Sequence, residues 1–324
     1  MGVHFETPAR HVVTSAEHSF LTDPTQEPAI PGSVSGQAWT NFAVTLYPAP
    51  DGMPEPADVN QHAIGNCDGD AVLAHMAYMN PNFVMRLITD NGDGTFAVDM
   101  FDPMGNPITV GVDSQFFADS SGNIGQVSCK MGVACWSTVL EKAYIKYNQV
   151  YGVVSDIGGI GSEFTTPMFT GAGDSFAFNA GSLSAADITR AVKAFLAAGK
   201  LVTCGFNMDA VTLPSGGTPA GGQTVTLHGY SGLVPPDGMM MAARNPWGED
   251  PTASGMDTST DGVMTIPSDP TWAGMMDLRI IEPGAACGPG QTTPYVPQEL
   301  GSPNFVSTIT EAHVLRFRQP RPTR

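Results

Sequence analysis

Apolar and polar positions alternate differently in different parts of the chain. In "WSTVLEKAYIKYN", residues 136–148, the apolar residues Trp136, Val139, Leu140, Ala143, Tyr144 and Tyr147 recur at helical spacing and form one stripe. A second helical pattern runs from Cys67 to about Arg86, and Pro81 should interrupt it near Asn80, because proline lacks an amide donor. A third starts behind a Ser184…Asp187 cap. It places Ile188, Val192, Phe195 and Leu196 on one face and stops at Gly199.

Elsewhere the period shortens to two. "DNGDGTFAVDMFDPMGNPITVGVD" predicts a hairpin, turned at Asn91-Gly92, Asp93-Gly94 and Gly105-Asn106. Beyond residue 200, "LVTCGF", "QTVTLHGYSGLV", "MMMAARN" and "GVMTI" are short β-type runs between turns. A mainly helical half therefore precedes a mainly β half, an α+β organisation. Residues 1–54 read as an extended arm, 55–180 as a helical lobe, 181–285 as a β-rich lobe and 286–324 as a Pro-rich tail ending in the basic "RFRQPRPTR". The glycine-rich stretch 158–181 is read as a connection that hinges the lobes.

Composition narrows the function classes. Hydrophobic residues make up 42% and charged residues 14% of the 324, which is globular rather than disordered. A formal charge of −17 opposes nucleic-acid binding, which needs Lys and Arg to neutralise phosphates. It suits a soluble protein or one that recruits cations such as calcium. No run reaches the length of a membrane span, and the start "MGVHFETPARHVV" has neither a charged-then-apolar leader nor a myristoylation pattern, so the reading is cytoplasmic. The 5 cysteines show no C-x-x-C pair, which argues against zinc and against a disulfide framework and points to a reducing compartment.

The candidate chemistry centres on "DVNQHAIGNCDGDAVLA". Cys67 opens the predicted helix, and a helix N-terminus beside an imidazolium lowers a thiol pKa. His4, His11, His18 and His313 lie in the terminal segments and His75 lies inside the helix. His228 lies on the polar face of "TVTLHGYSG" with Thr224, Thr226 and Tyr230, and His62 sits five residues before Cys67. Asn245 of "RNPWG" offers an amide oxygen to orient an imidazole, and Trp247 would shield that bond from water. "DNGDG" is read as a turn, since Gly92 and Gly94 stand where an EF-hand needs ligands.

In order along the chain, "QHAIGNC", "WSTVLEKAYIKYNQVYG", "GGIGSEFTTPMFTGAG", "LHGYSG" and "RNPWGE" resemble landmarks of the calpain catalytic core, from about Pro54 to Glu282. Calpains are cysteine endopeptidases of the papain superfamily. The resemblance implies a papain-like fold with a cleft between a helical and a β-rich lobe, and an extended polypeptide as substrate. It implies Cys67 as nucleophile, His228 as general base and acid, Asn245 as orienter and Gln61 as a side-chain donor to the oxyanion hole. It also implies calcium in each lobe, with Asp58 and Glu163 as ligands in the first and Asp261, near Glu249, Asp250 and Asp257, in the second.

Three departures bear on this. Val263 stands where calpains usually carry an acid, and Asp68 and Gly69 replace a Trp and a bulky apolar residue after the nucleophile. An acid at roughly 7 Å costs the thiolate about 2 kcal/mol at an effective dielectric near 20, and less when solvated. The same acids favour the start of a helix through its dipole. Two other classes compete with peptidase: a catalytically impaired core serving as a calcium-dependent binding module, and a papain-like acyl transferase. Transglutaminating enzymes favour Asp as third member, so Asn245 tilts the reading to peptidase.

Overall fold

The computed structural model describes residues 11–171, 175–207, 222–234, 238–248, 263–267 and 275–281. The chain divides into two compact units. The first comprises Met1–Gly173 with the separate segment Pro246–Gly248, among others; the second includes Asp174–Asn245.

In the first unit, Thr14 and Glu17 form a reciprocal capping box that starts α1 (Ser15–Thr22). A short strand β1 (Ala38–Asn41) follows. The predicted helix at Cys67 is α2 (Cys67–Met79), and it breaks where expected. Asn80 ends it and caps α3 (Pro81–Leu87) by accepting from the Phe83 amide, with Pro81 in the first turn. Strands β2 (Ile88–Asp90), β3 (Thr95–Phe101) and β4 (Pro107–Asp113) make an antiparallel sheet, with Phe96, Val98 and Met100 facing inward. β5 (Gln115–Ala118) pairs with β1.

The stripe at 136–148 becomes α4 (Trp136–Tyr151), ended by Gly152 in the left-handed region. It is buried on every side from Trp136 to Tyr147, so more than its apolar stripe is covered. The residues before α2 supply part of that cover. The Lys142 ammonium holds Glu27 at 2.7 Å, Lys146 donates to the Asp23 carbonyl at 2.6 Å, and Ala29 N donates to Gln149 Oε1 at 2.7 Å. The stretch expected to be an extended arm thus contains a helix and docks on α4.

Two further expectations are corrected. Part of the supposed glycine-rich hinge is a helix, α5 (Ser162–Thr170). Pro167 within it disguised the pattern, and Thr165 and Thr170 hydroxyls bond back to carbonyls one turn earlier. Cys129 and Cys135 form a disulfide across a separation of six residues, while Cys67 and Cys204 are left as thiols. Cysteine usage therefore no longer argues for a reducing compartment.

The second unit holds an antiparallel six-stranded sheet in the order β10-β9-β8-β7-β11-β6. Its strands are β6 (Ser175–Asn179), β7 (Leu201–Asn207), β8 (Gly222–Val234), β9 (Gly238–Arg244), β10 (Val263–Pro267) and β11 (Met275–Ile281). Helix α6 (Ala185–Ala197) is capped by Ser184 as predicted, and it buries Ile188, Val192, Phe195 and Leu196 against β7, β8 and β9. No helix among the described residues is long and apolar enough to cross a membrane.

Candidate active site

Two residues of the first unit carry the candidate chemistry. Gln61 lies in a segment held on both sides. Asn60 exchanges backbone hydrogen bonds with Ser128, each 3.0 Å, and the Gln61 amide donates to the Pro246 carbonyl at 2.7 Å. Gly248, two residues on, has φ of 78° and sits so close to the Asn60 side chain that a Cβ there would collide with it.

Cys67 is the first residue of α2 and is half-buried. Gln61 and the start of α2 are tied through Asn66, the residue before the thiol. Gln61 Nε2 donates to the Ile64 carbonyl at 2.7 Å and to Asn66 Oδ1 at 3.2 Å. Directly behind Cys67, Asp68 is only 9% exposed, so solvent moderates its charge less than the sequence suggested. Gly69 has a packing reason. A Cβ there would meet Ile160 at 3.1 Å and Thr165 at 3.4 Å, leaving no room for a bulky side chain where α2 passes α5.

Beneath this start lies a cluster that sequence reasoning missed. Asp70, Glu141 and Tyr144 are fully buried around Asn66. Asn66 Nδ2 donates to Glu141 Oε1 at 2.6 Å, makes a short contact with the Tyr144 hydroxyl and reaches Asp70 Oδ1 at 3.4 Å. Tyr144 donates to Asp70 at 3.2 Å, and the Val127 amide holds the other Glu141 oxygen at 2.7 Å. Burial pushes the Glu141 carboxyl up to about 7, and burial together with the Glu141 charge raises Asp70 well above the usual range. The signal available in sequence was an acid one turn into an otherwise apolar helix, Asp70, which helix-dipole reasoning had absorbed.

In the second unit, His228 lies on β8 at a register shift. Leu227 pairs with Ala243 and Gly229 with Ala242, so the register shifts by one residue at His228. Asn245 immediately follows β9, the antiparallel neighbour of β8, and is fully buried. Trp247 is half-buried. His75, inside α2, is buried and its imidazole is pushed down to about 3, which keeps it neutral.

The carboxylates expected to hold calcium are occupied otherwise. Asp58 is 4% exposed; its Oδ2 accepts from Trp136 Nε1 at 2.7 Å and from the Glu55 amide at 3.0 Å, and burial raises its carboxyl. Its carbonyl accepts from the Ser137 hydroxyl at 2.7 Å. Glu163 folds its carboxylate back over Gly161, the N-cap of its own helix. Among the described residues no three His, Cys, Asp or Glu side chains gather as a metal site. Asp261, Glu249, Asp250 and Asp257 lie outside the described residues.

The first unit thus carries a helix-opening thiol with a glutamine tied to its start, and the second carries a histidine on β8 and an asparagine just after β9. The model of the calpain family of cysteine proteases matches residues 45–256, more than half of the chain, and the chain belongs to that family. No curated protein matches it. Its activity class is accordingly that of a cysteine-type peptidase, acting on polypeptides.

Proposed function

We propose that the chain is an endopeptidase of papain-like fold that cleaves extended polypeptide through Cys67, His228 and Asn245. The observation that carries this reading is the placement of Cys67 at the first position of α2, with the Gln61 carboxamide bonded to the preceding residue. The Cys67 thiolate attacks the scissile carbonyl carbon and forms a thioester as the amine leaves with a proton from His228. Asn245 fixes the imidazole tautomer. His228 then takes a proton from water, and the resulting hydroxide releases the acid and restores the thiolate beside the imidazolium.

The oxyanion of each tetrahedral intermediate takes hydrogen bonds from the Cys67 amide and Gln61 Nε2. One such donor is worth about 3 kcal/mol in the barrier. We route no step through calcium. In the first unit Asp58 and Glu163 would be its carboxylates, and Asp58 would first have to release Trp136.

A second reading, an impaired core that binds polypeptide without cutting it, is favoured by the buried acid Asp68 next to the nucleophile. Casein cleavage with millimolar calcium or with chelator decides between them. The expected result is cleavage by the native chain and none by Cys67→Ala, a loss of at least a thousandfold. Folded protein that binds casein and leaves it intact would favour the second reading. Dependence on calcium in the same assay would restore Asp58 and Glu163 as ligand candidates.

A further inference from the structure

Asn66 occupies the N-cap of α2, a position that favours asparagine because its side chain can accept from the first turn's amides. Here it makes no such bond. The whole carboxamide is used elsewhere. Its oxygen accepts from Gln61 Nε2 and its nitrogen faces Glu141, Tyr144 and Asp70. Asn66 is 1% exposed. Turning the amide over would set its oxygen against the Glu141 carboxylate and its NH2 against that of Gln61, so one orientation is locked.

Resting on the peptidase reading, we propose that Asn66 is a positioning residue for Gln61, locked in place by Glu141, Tyr144 and Asp70. Of the two Gln61 N–H bonds, one goes to the Ile64 carbonyl. The other points to Asn66, the neighbour of Cys67. An oxyanion forming on an acyl group at Cys67 shares that second hydrogen. The Asn66 oxygen thereby sets the angle at which the donor meets it, and preorganised aim is what makes such a donor effective.

The lock needs a proton. The titratable groups that meet at Asn66 are Asp70 from α2 and Glu141 and Tyr144 from α4, with Cys67 and Asp68 earlier in the first turn of α2. Among the described residues neither Asp70 nor Glu141 forms an ion pair with Lys, Arg or His. Glu141 has the better donors, the Val127 amide and Asn66, and takes the charge; Asp70 keeps the proton. Burial raises the carboxyls of both, and the Glu141 charge adds to the rise at Asp70.

The test is steady-state casein cleavage by the full chain across pH 5 to 9, comparing wild type, Asn66→Ala, Asn66→Asp and the exchange Asn66→Asp/Asp70→Asn. Asn66→Ala should lose at least tenfold in kcat with KM within about threefold, as expected when a transition-state donor loses its aim. Asn66→Asp keeps the acceptor for Gln61 but sets a third carboxyl against the pair, so its pH optimum should move away from that of the wild type. The exchange variant should bring it back. An Asn66→Ala protein that is folded and keeps its kcat would overturn the proposal, as would Asn66→Asp with an unmoved optimum. Should Asn66→Ala fail to fold, the pH optima of the other two decide. A wild type without Cys67-dependent cleavage would remove the peptidase reading and this role together, whereas loss of the Asn66 effects alone leaves that reading standing.

Discussion

Glu141 and Lys142 are consecutive residues of α4, both fully buried, and their surroundings hold two carboxyl groups together by different means. On the Lys142 side an ammonium lies 2.6 Å from Asp113 and 2.7 Å from Glu27 and also donates to the Gln115 carbonyl. Burial acts to raise Asp113, but Lys142 and the Gln115 amide outweigh it and hold that carboxyl low. Glu27 is less well served, and burial pushes it up to about 7 despite the same cation. On the Glu141 side no ammonium intervenes, and Glu141 and Asp70 are each bonded to Asn66 and Tyr144 instead. The cation holds Asp113 ionised through neutrality, whereas Glu27 beside it and Glu141 on the other side both titrate there. The first arrangement docks a chain segment, and the second lies under the presumed nucleophile.

The severest way to break the contrast is Lys142→Met. It leaves Asp113 and Glu27 buried with no cation and should cost about 3–5 kcal/mol in urea denaturation at pH 7. A smaller effect separates the two sides by pH. A carboxyl raised in the folded state contributes stability that is fully present below its unfolded pKa and is lost as pH rises through the folded value. For Glu141, raised to about 7, wild-type stability should fall by on the order of 2 kcal/mol between pH 5 and 8. Glu27 titrates in the same window, so the wild-type slope belongs to both groups. Asp70→Asn isolates the pair: it should flatten the slope by on the order of 1 kcal/mol, and an unchanged slope would show that Asp70 and Glu141 do not share a proton. The smallest effect is expected from Gln149→Ala at the far end of α4. Losing the bond to the exposed Ala29 amide should cost about 0.5–1 kcal/mol, with hydrogen exchange rising at Ala29 rather than at Asn66.

What could be read in advance follows the range of the forces involved. The α2–α3 break, α4, the α6 cap and the β3–β4 hairpin rest on local rules, namely periodicity, a proline and turn glycines, and these were legible. α5 was not, because its glycine-flanked, threonine-rich segment with Pro167 has weak propensity and is helical through packing against α2 and β3. α1 depends likewise on docking to α4. The Cys129–Cys135 bond carried no spacing signature. The Gln61–Cys67 spacing could be read in advance, and His228 on β8 and Asn245 just after the neighbouring β9 lie where the β pattern put them. The Asn66–Glu141 bond joins residues 75 apart in sequence, and only the packing of α4 beneath α2 brings them together.

The Pro246–Gly248 segment makes the first unit discontinuous in the gene. A chain stopped at Gly173 would contain the thiol and the glutamine yet leave the Gln61 amide without the Pro246 carbonyl and Asn60 without Gly248 beside it. The unit that carries Cys67 is therefore not separable by a single cut. During synthesis it stays incomplete until the segment after β9 has emerged, by which point His228 and Asn245 have been made.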